Sequence, residues 1–374
     1  MKRILDINPS LNQKIEEIIK SKSYRDFQQF SEIAFENQVT AEMNQQNSWE
    51  ISTYETNASD SKIIQRNGNE NTLLNVDNPM LIEAPIDDKL IGKILWGQFY
   101  RFLPLKVATR VLANLSKNTF PTIDEFIKIC VDTAVLFNKK LIRIDKKENR
   151  SYGERISASF PDGSKKSILR FQNQYLFYLR KNDHKIDGFL ARMKFCNIVS
   201  KDNTKIGLTS FGKNFAILEN PLIDKNITKS LSKEEIDFLI NHIITNLPFE
   251  AEHMFITLQL LQKKINSPTQ LNVSLRQYYN KNYSGEKWTD IVINTMRSGI
   301  LGRLIEMDLI FRKKIGKNAT YHLTKDGEHF IERYKSEGNK SYNINQNQNH
   351  TNSKNGGYSH ISSEKCFVVN GEMN

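Results

Sequence analysis

Residues 302–331 read GRLIEMDLIFRKKIGKNATYHLTKDGEHFI, and residues 188–215 read GFLARMKFCNIVSKDNTKIGLTSFGKNF. Gly188, Leu190, Met193 and Phe195 match Gly302, Leu304, Met307 and Leu309 at one fixed offset. Leu208, Thr209, Gly212 and Phe215 match Leu323, Thr324, Gly327 and Phe330 at an offset larger by one, which a single-residue insertion in the intervening turn explains. A repeated unit decides architecture before any local reading does. In both copies a Leu and a Met three apart lie on one face of a helix that runs into an apolar strand start. A polar turn follows (SKDNTK in one copy, KKIGKNAT in the other), then a second strand ending in Leu-Thr, the chemistry of a β-hairpin. The Thr is placed to N-cap a last helix, with Gly three residues later and an aromatic at the sixth position to close the core.

Helix, hairpin and capped helix in that order resembles the C-terminal part of the winged helix-turn-helix superfamily, in the form found in many prokaryotic regulators. The likeness covers about residues 231–335 and, less sharply, about residues 165–220. It implies that a recognition helix within WTDIVINTMRSGILGRLIEM (residues 288–307) enters the major groove of DNA. The hairpin would reach the backbone or the adjacent minor groove. On that implication the DNA-contacting candidates of the second copy are Lys287, Arg297, Arg303, Arg312, Lys313, Lys314 and Lys317. Arg suits guanine edges and Lys on a hairpin suits phosphates. The corresponding set in the first copy is Arg180, Lys181, Lys185, Arg192, Lys194, Lys201 and Lys205. The alternative is that these are solvated charges on a protein-binding unit, with Arg297 or Arg303 paired to Glu306 or Asp308.

The charge distribution points the same way. The chain of 374 residues carries a net +11, and residues 81–230 alone hold 27 Lys+Arg against 15 Asp+Glu. Residues 231–336 hold 15 against 12, whereas residues 1–42 hold 6 against 7 and residues 43–80 hold 2 against 5. A polyanion is therefore steered to the two C-terminal regions. A genome rich in Lys codons is the bland explanation for such a surface.

At this length two or three domains are expected. Residues 43–80, rich in Asn, Gln, Ser, Thr and Glu, read as a flexible linker, and the Asn-rich residues 338–374 as a disordered tail. Residues 81–230 read as an α-rich region carrying the first unit, and residues 231–337 as the second. ILWGQFYRFLPLKVATRVLANL (residues 94–115) reads as two helices broken at Pro104, followed by a helix through DEFIKICVDTAVLF (residues 124–137). Tyr175, Phe177 and Tyr178 fall at core-like spacing, in preference to a stacking platform for single strands.

The first 42 residues differ in character. A strand RILDINP, a helix SLNQKIEEIIKSKSY and a helix DFQQFSEIAFENQV, with Pro9 before the first helix and an FxxFxxxA spacing from Phe27, resemble the ribbon-helix-helix superfamily. That likeness implies an intertwined homodimer, because one such copy is too short to enclose a core. The segment is net negative and offers Arg3 with Asp6 beside it, so dimerisation rather than DNA contact is its expected role.

Enzymatic signatures are missing from the sequence. There is no GxxxxGK[ST] loop, no GxGxxG, no HExxH and no CxxC pair. Cys130, Cys196 and Cys366 are far apart and odd in number, which argues against a disulfide framework. The seven histidines are dispersed; His253 with Glu250 and Glu252 is a weak metal signal. Acidic pairs such as Glu234 and Glu235 sit at helix starts, where the dipole accounts for them. No apolar run is long enough for a membrane span and no signal peptide opens the chain, so a cytoplasmic location is expected. The expectation is a mainly α protein with small β-hairpins: tandem winged-helix units plus a small strand-helix-helix module. Its expected role is a non-enzymatic, cofactor-free and metal-free binder of double-stranded DNA, a transcriptional regulator acting as a dimer. A plasmid replication-initiation or maintenance protein, or a non-catalytic scaffold subunit of a prokaryotic defence complex, are the alternatives.

Overall fold

A computed structural model describes residues 13, 16, 17, 76, 78–84, 95, 97–180, 185–199, 204–225, 227–282, 288–315 and 318–338. The chain divides into two units, Met1–Gly68 and Asn69–Asn374. In the first, Gln13, Glu16 and Glu17 are described; they are helical, and Gln13 Nε2 donates to Glu17 Oε1 at 3.4 Å. The rest of residues 1–42, read above as resembling a ribbon-helix-helix module, most of residues 43–80, read as a linker, and residues 339–374 of the segment read as a tail lie outside the described residues.

The second unit is mainly helical with small two-stranded antiparallel sheets. Among the described residues its helices begin with α1 (Leu103–Leu115) and α2 (Ile123–Lys147), followed by α3 (Lys165–Phe171) and a π-type turn over Gln172–Leu176. The hairpin β1 (Tyr178–Leu179) and β2 (Ile186–Asp187), the short α4 (Phe189–Arg192), the hairpin β3 (Cys196–Ile198) and β4 (Ile206–Leu208), α5 (Ser210–Ile217) and α6 (Pro221–Asp224) complete the first half. The second half is α7 (Lys233–Asn246), α8 (Pro248–Gln262), α9 (Pro268–Asn282), α10 (Asp290–Glu306), the hairpin β5 (Ile310–Ile315) and β6 (Asn318–Leu323), and α11 (Lys325–Arg333). Pro104 does not break a longer helix. It stands in the first turn of α1, where its missing N–H costs nothing, and residues 97–101 before it are non-helical.

The repeat holds at the level of individual hydrogen bonds. α4 and α10 end in the same turn: Lys194 (φ +54°) and Asp308 (φ +56°) adopt the left-handed conformation. Phe195 N donates to Leu190 O (3.1 Å) and Leu309 N to Leu304 O (2.9 Å). The ladders share a register, Cys196 opposite Leu208 and Ile198 opposite Ile206 in one, Ile310 opposite Leu323 and Arg312 opposite Tyr321 in the other. Thr209 N donates to Phe195 O (3.0 Å) and Thr324 N to Leu309 O (3.1 Å). Each Thr hydroxyl then donates back to the left-handed residue, Lys194 O or Asp308 O, at 2.6 Å. It also accepts from Gly212 N or Gly327 N at 3.1 Å, capping α5 and α11. A Cβ on Gly212 would lie 2.1 Å from Phe195 O, and one on Gly327 2.2 Å from Leu309 O, so both positions require glycine. Phe215 and Phe330 are buried, closing the core beneath these helices.

The correspondence reaches further back than the sequence repeat. Ile206 N donates to Pro121 O (3.1 Å) and Tyr321 N to Asn266 O (3.0 Å), so a short extended segment flanks each hairpin at the same rung. That segment joins α1 to α2 in one half and α8 to α9 in the other. Thr122 caps α2 by accepting from Glu125 N (3.2 Å), and Ser267 accepts from Gln270 N (3.3 Å). Leu103-Pro104 and Leu247-Pro248 stand at the starts of α1 and α8.

The halves differ in the helix that leads into the hairpin. α10 is a continuous helix of 17 residues, whereas the matching stretch of the first half is interrupted by the β1–β2 hairpin. Gly188 (φ +142°) closes the interruption, its α-carbon set so tightly that a Cβ would lie 2.6 Å from Phe177 Cα. The chain leaves and rejoins the helical path at nearly one point.

Both halves share a core. Buried apolar side chains from Leu95 to Ile331 form one cluster, with a smaller group of Leu275, Tyr279, Ile293 and Met296 beside it. Leu231, Ile236, Leu239 and Ile243, around the start of α7, belong to the large cluster, so it runs on through residue 230 without a break. Cys130 and Cys196 are buried thiols within it.

Candidate nucleic-acid interface

The hairpin β5–β6 carries the cations of the second half. Lys313 and Lys314 are exposed and Arg312 is half-buried. Alternation along the strand puts Arg312 and Lys314 on one face and Lys313 on the other. Lys287 and Lys317 lie outside the described residues.

Arg303 does not belong to this surface. It is fully buried, donates to Glu250 through Nε (2.9 Å) and Nη2 (2.7 Å), and also donates to the Phe99 carbonyl. Its partner is Glu250 of α8, not Glu306 or Asp308. Asp308 instead pairs with Lys229 at 2.6 Å, and the Glu306 carboxylate accepts from Phe102 N at the start of α1. Burial pushes the carboxyls of Glu250 and Glu306 above the usual range, against the pull of Arg303 on the first and Arg101 on the second. Arg297 is half-buried and ties α10 to α9, donating to Pro268 O (3.0 Å) and Asn272 Oδ1 (2.8 Å).

Packing explains both fates. The segment before α1 lies across the C-terminal half of α10: a Cβ on Gly299 would lie 2.3 Å from Gly97 O, and one on Gly302 2.8 Å from Tyr100 O. Only backbone against glycine fits there, and Arg303 and Glu306 neutralise the polar groups enclosed. The N-terminal half of α10 remains open, with Val292, Asn294 and Ser298 exposed. Asn272 Nδ2 donates to Asn294 Oδ1 at 2.6 Å, fixing α9 against this open half.

In the first half, Arg192 is likewise removed from the surface. It is buried and bonded to Asp187 through Nε (2.7 Å) and Nη2 (3.1 Å). Lys194 is half-buried in its left-handed turn, and burial lowers its ammonium pKa. Lys205 is exposed just before β4, and Lys185 is exposed next to half-buried Arg180, whose N–H donates to Lys185 O (2.9 Å) at the loop end of the β1–β2 hairpin. Lys181 and Lys201 lie outside the described residues.

The sequence reading missed a second group of cations. α2 continues beyond the apolar run into NKKLIRIDKK, and Lys128, Lys139, Arg143, Lys146 and Lys147 are all exposed along it. The i, i+3 and i+4 spacing from Lys139 to Lys147 was the available signal.

Buried ionic groups elsewhere are structural. Lys106 and Glu235 pair at 2.9 Å with neither side chain exposed, and Lys106 also donates to Phe215 O and Leu218 O at 2.5 Å. Burial lowers the Lys106 pKa to about 8 despite that partner. Arg110 forms a two-pronged pair with Asp224 (2.5 and 2.6 Å). His253 bonds to Tyr279 Oη (2.5 Å to Nδ1), and burial drives its pKa well below the ordinary histidine value. Glu250 and Glu252 have other partners, Arg303 and the Tyr278 hydroxyl. Among the described residues no group of three or more His, Cys, Asp or Glu is placed to hold a metal ion, and no helix is long and apolar enough to cross a membrane. Comparison with protein-family models, curated proteins and solved structures finds no match to the chain.

Proposed function

We propose that this protein is a non-enzymatic binder of double-stranded DNA whose Asn69–Asn374 unit contains two winged-helix units, the second presenting its hairpin to the DNA backbone. The observation that carries the reading is the hairpin β5–β6, which follows α10 and on which Lys313 and Lys314 are exposed. Element order supports it: α8, the extended Asn266 segment, α9, α10 and β5–β6 follow the order of a winged helix, and α1, Pro121, α2, the interrupted helix and β3–β4 repeat it. Uncharged Asn294 and Ser298 are then the groups nearest to base edges, and the lysines contact phosphates. A transcriptional regulator acting as a dimer through its N-terminal module is the role we favour.

The shared core favours one alternative specifically. Two units locked by Glu306 at the start of α1 and by Arg303 on Phe99 O would engage DNA as one body, as suits a replication initiator on iterated repeats. Fluorescence anisotropy of the full chain against a 30-base-pair duplex (about three helical turns) and its separated strands tests the common claim. Tighter binding to duplex is expected; equal affinity for both, or none, would overturn it. Footprinting upstream of the protein's own coding sequence separates the roles, a single operator supporting a regulator and a regular array supporting an initiator.

A further inference from the structure

We infer that the C-terminal half of α2 and the hairpin β5–β6 form one continuous phosphate-binding track, so that the first unit grips DNA through a helix face. The inference rests on the DNA-binding reading above and assigns the contacts of the first unit.

The track is built around the turn Ser151–Arg155, which follows α2. Arg312 of β5 reaches this turn: a Cβ on Gly153 would lie 3.0 Å from Arg312 Nη1. Glu154 sits beside it, its carboxyl held below the usual range first by the Ser151 hydroxyl, and also by Arg312 and Lys314. Arg101 Nη2 donates to Glu154 O at 3.1 Å. Lys147 is six residues from Gly153, so the chain between them spans no more than about 20 Å. Going the other way, Lys146, Arg143 and Lys139 recede along α2 at 1.5 Å per residue, on one exposed face. Exposed Arg155 and Lys314 complete the series, Lys314 lying on the same strand face as Arg312. Against these cations stand Glu148 and Glu154; Asp145 is enclosed and committed to Arg150 and to the amides of Ile156 and Ser157.

A cationic path this long matches a duplex backbone, which presents a charge about every 3.4 Å along each strand. The helix dipole favours basic groups in the last turn of α2, but it does not extend to Arg143 and Lys139, nor does it bring β5 to the same turn. Ahead of the first unit's own hairpin, Arg192 is buried and Lys194 half-buried, and among the described residues at the hairpin itself Lys205 is the exposed cation.

The test uses the full chain and a random-sequence 30-base-pair duplex (about three helical turns), with affinity measured from low to high salt. The variant R143E/K146E/K147E is expected to lose at least tenfold in affinity and to lower the salt slope by about 2 to 3, near one unit per phosphate released. Glu154→Gln keeps an acceptor for Ser151 and removes one negative charge from the middle of the track. It is expected to bind about threefold more tightly, a gain that no loss of folding could mimic. Wild-type affinity and slope in R143E/K146E/K147E, with K313E/K314E impaired, would overturn the track and leave the DNA-binding reading standing. Absence of salt-dependent duplex binding by the wild-type chain would overturn both.

Discussion

Thr209 and Thr324 perform the same task in the two halves. Each hydroxyl donates at 2.6 Å to the carbonyl of the left-handed residue ending the preceding helix, and each accepts at 3.1 Å from an amide three residues on. One side chain thus closes a helix, a hairpin and the next helix at once. Thr209→Ala removes the cap and leaves the Lys194 carbonyl without its hydroxyl donor. A loss of about 1 to 2 kcal/mol is expected from urea unfolding midpoints, with Thr324→Ala in the same range. Gly327→Ala should cost about 2 to 3 kcal/mol, because its methyl would meet backbone rather than a side chain that could turn away. Unchanged midpoints in all three variants would mean that the shared turn is not what holds the units.

Arg303 supports the fold from inside. Arg303→Met leaves Glu250 buried without its cation and should destabilise by about 3 to 5 kcal/mol. Adding Glu250→Gln removes the stranded charge and should recover a substantial part of that loss. Equal stability of the single and double variants in chemical denaturation would show that the pair is not coupled.

His242 makes stability depend on pH in a definite direction. It is enclosed by Phe195, Phe211 and Phe238, with Nε2 2.8 Å from Met193 O and Nδ1 3.2 Å from Asn246 Nδ2. Neutral imidazole carrying its proton on Nε2 satisfies both contacts. Burial, aided by nearby Lys194 and opposed by the Met193 bond, lowers its pKa from 6.5 to about 4. Between those values the unfolded chain takes up a proton that the folded chain refuses, so stability falls as pH drops from 6.5 towards 4. The full effect is about 3 kcal/mol. His242→Gln keeps a donor for Met193 O and should flatten the unfolding free energy across that window; a slope equal to the wild type would assign it to other groups.

The repeated hairpin was legible in the sequence because its requirements fall on particular side chains. A capping hydroxyl, a glycine under a carbonyl and an aromatic beneath the last helix each admit few residue types. Pro121 and Asn266 meet their hairpins through main-chain carbonyls, which leaves no shared letter to find. The fates of Arg192 and Arg303 were equally hidden. Asp187, five residues from Arg192, could have been suspected, but Glu250 lies 53 residues from Arg303 and the covering segment begins near Leu95. Arginine in a helix beside a basic hairpin looks the same whether it faces solvent or a core. The interrupted helix of the first half could not be foreseen from letters either, since Gly188 rejoins the helical path only once β1 and β2 have paired.

Duplex binding through the second hairpin is tested most directly by titrating wild-type protein and K313E/K314E with one duplex over a series of salt concentrations. The wild type should lose affinity steeply with salt, and the double variant should bind more weakly to every sequence, with a slope lower by about 2. Flat, micromolar or weaker binding that is indifferent to both lysines would contradict the proposal and favour a protein-binding scaffold.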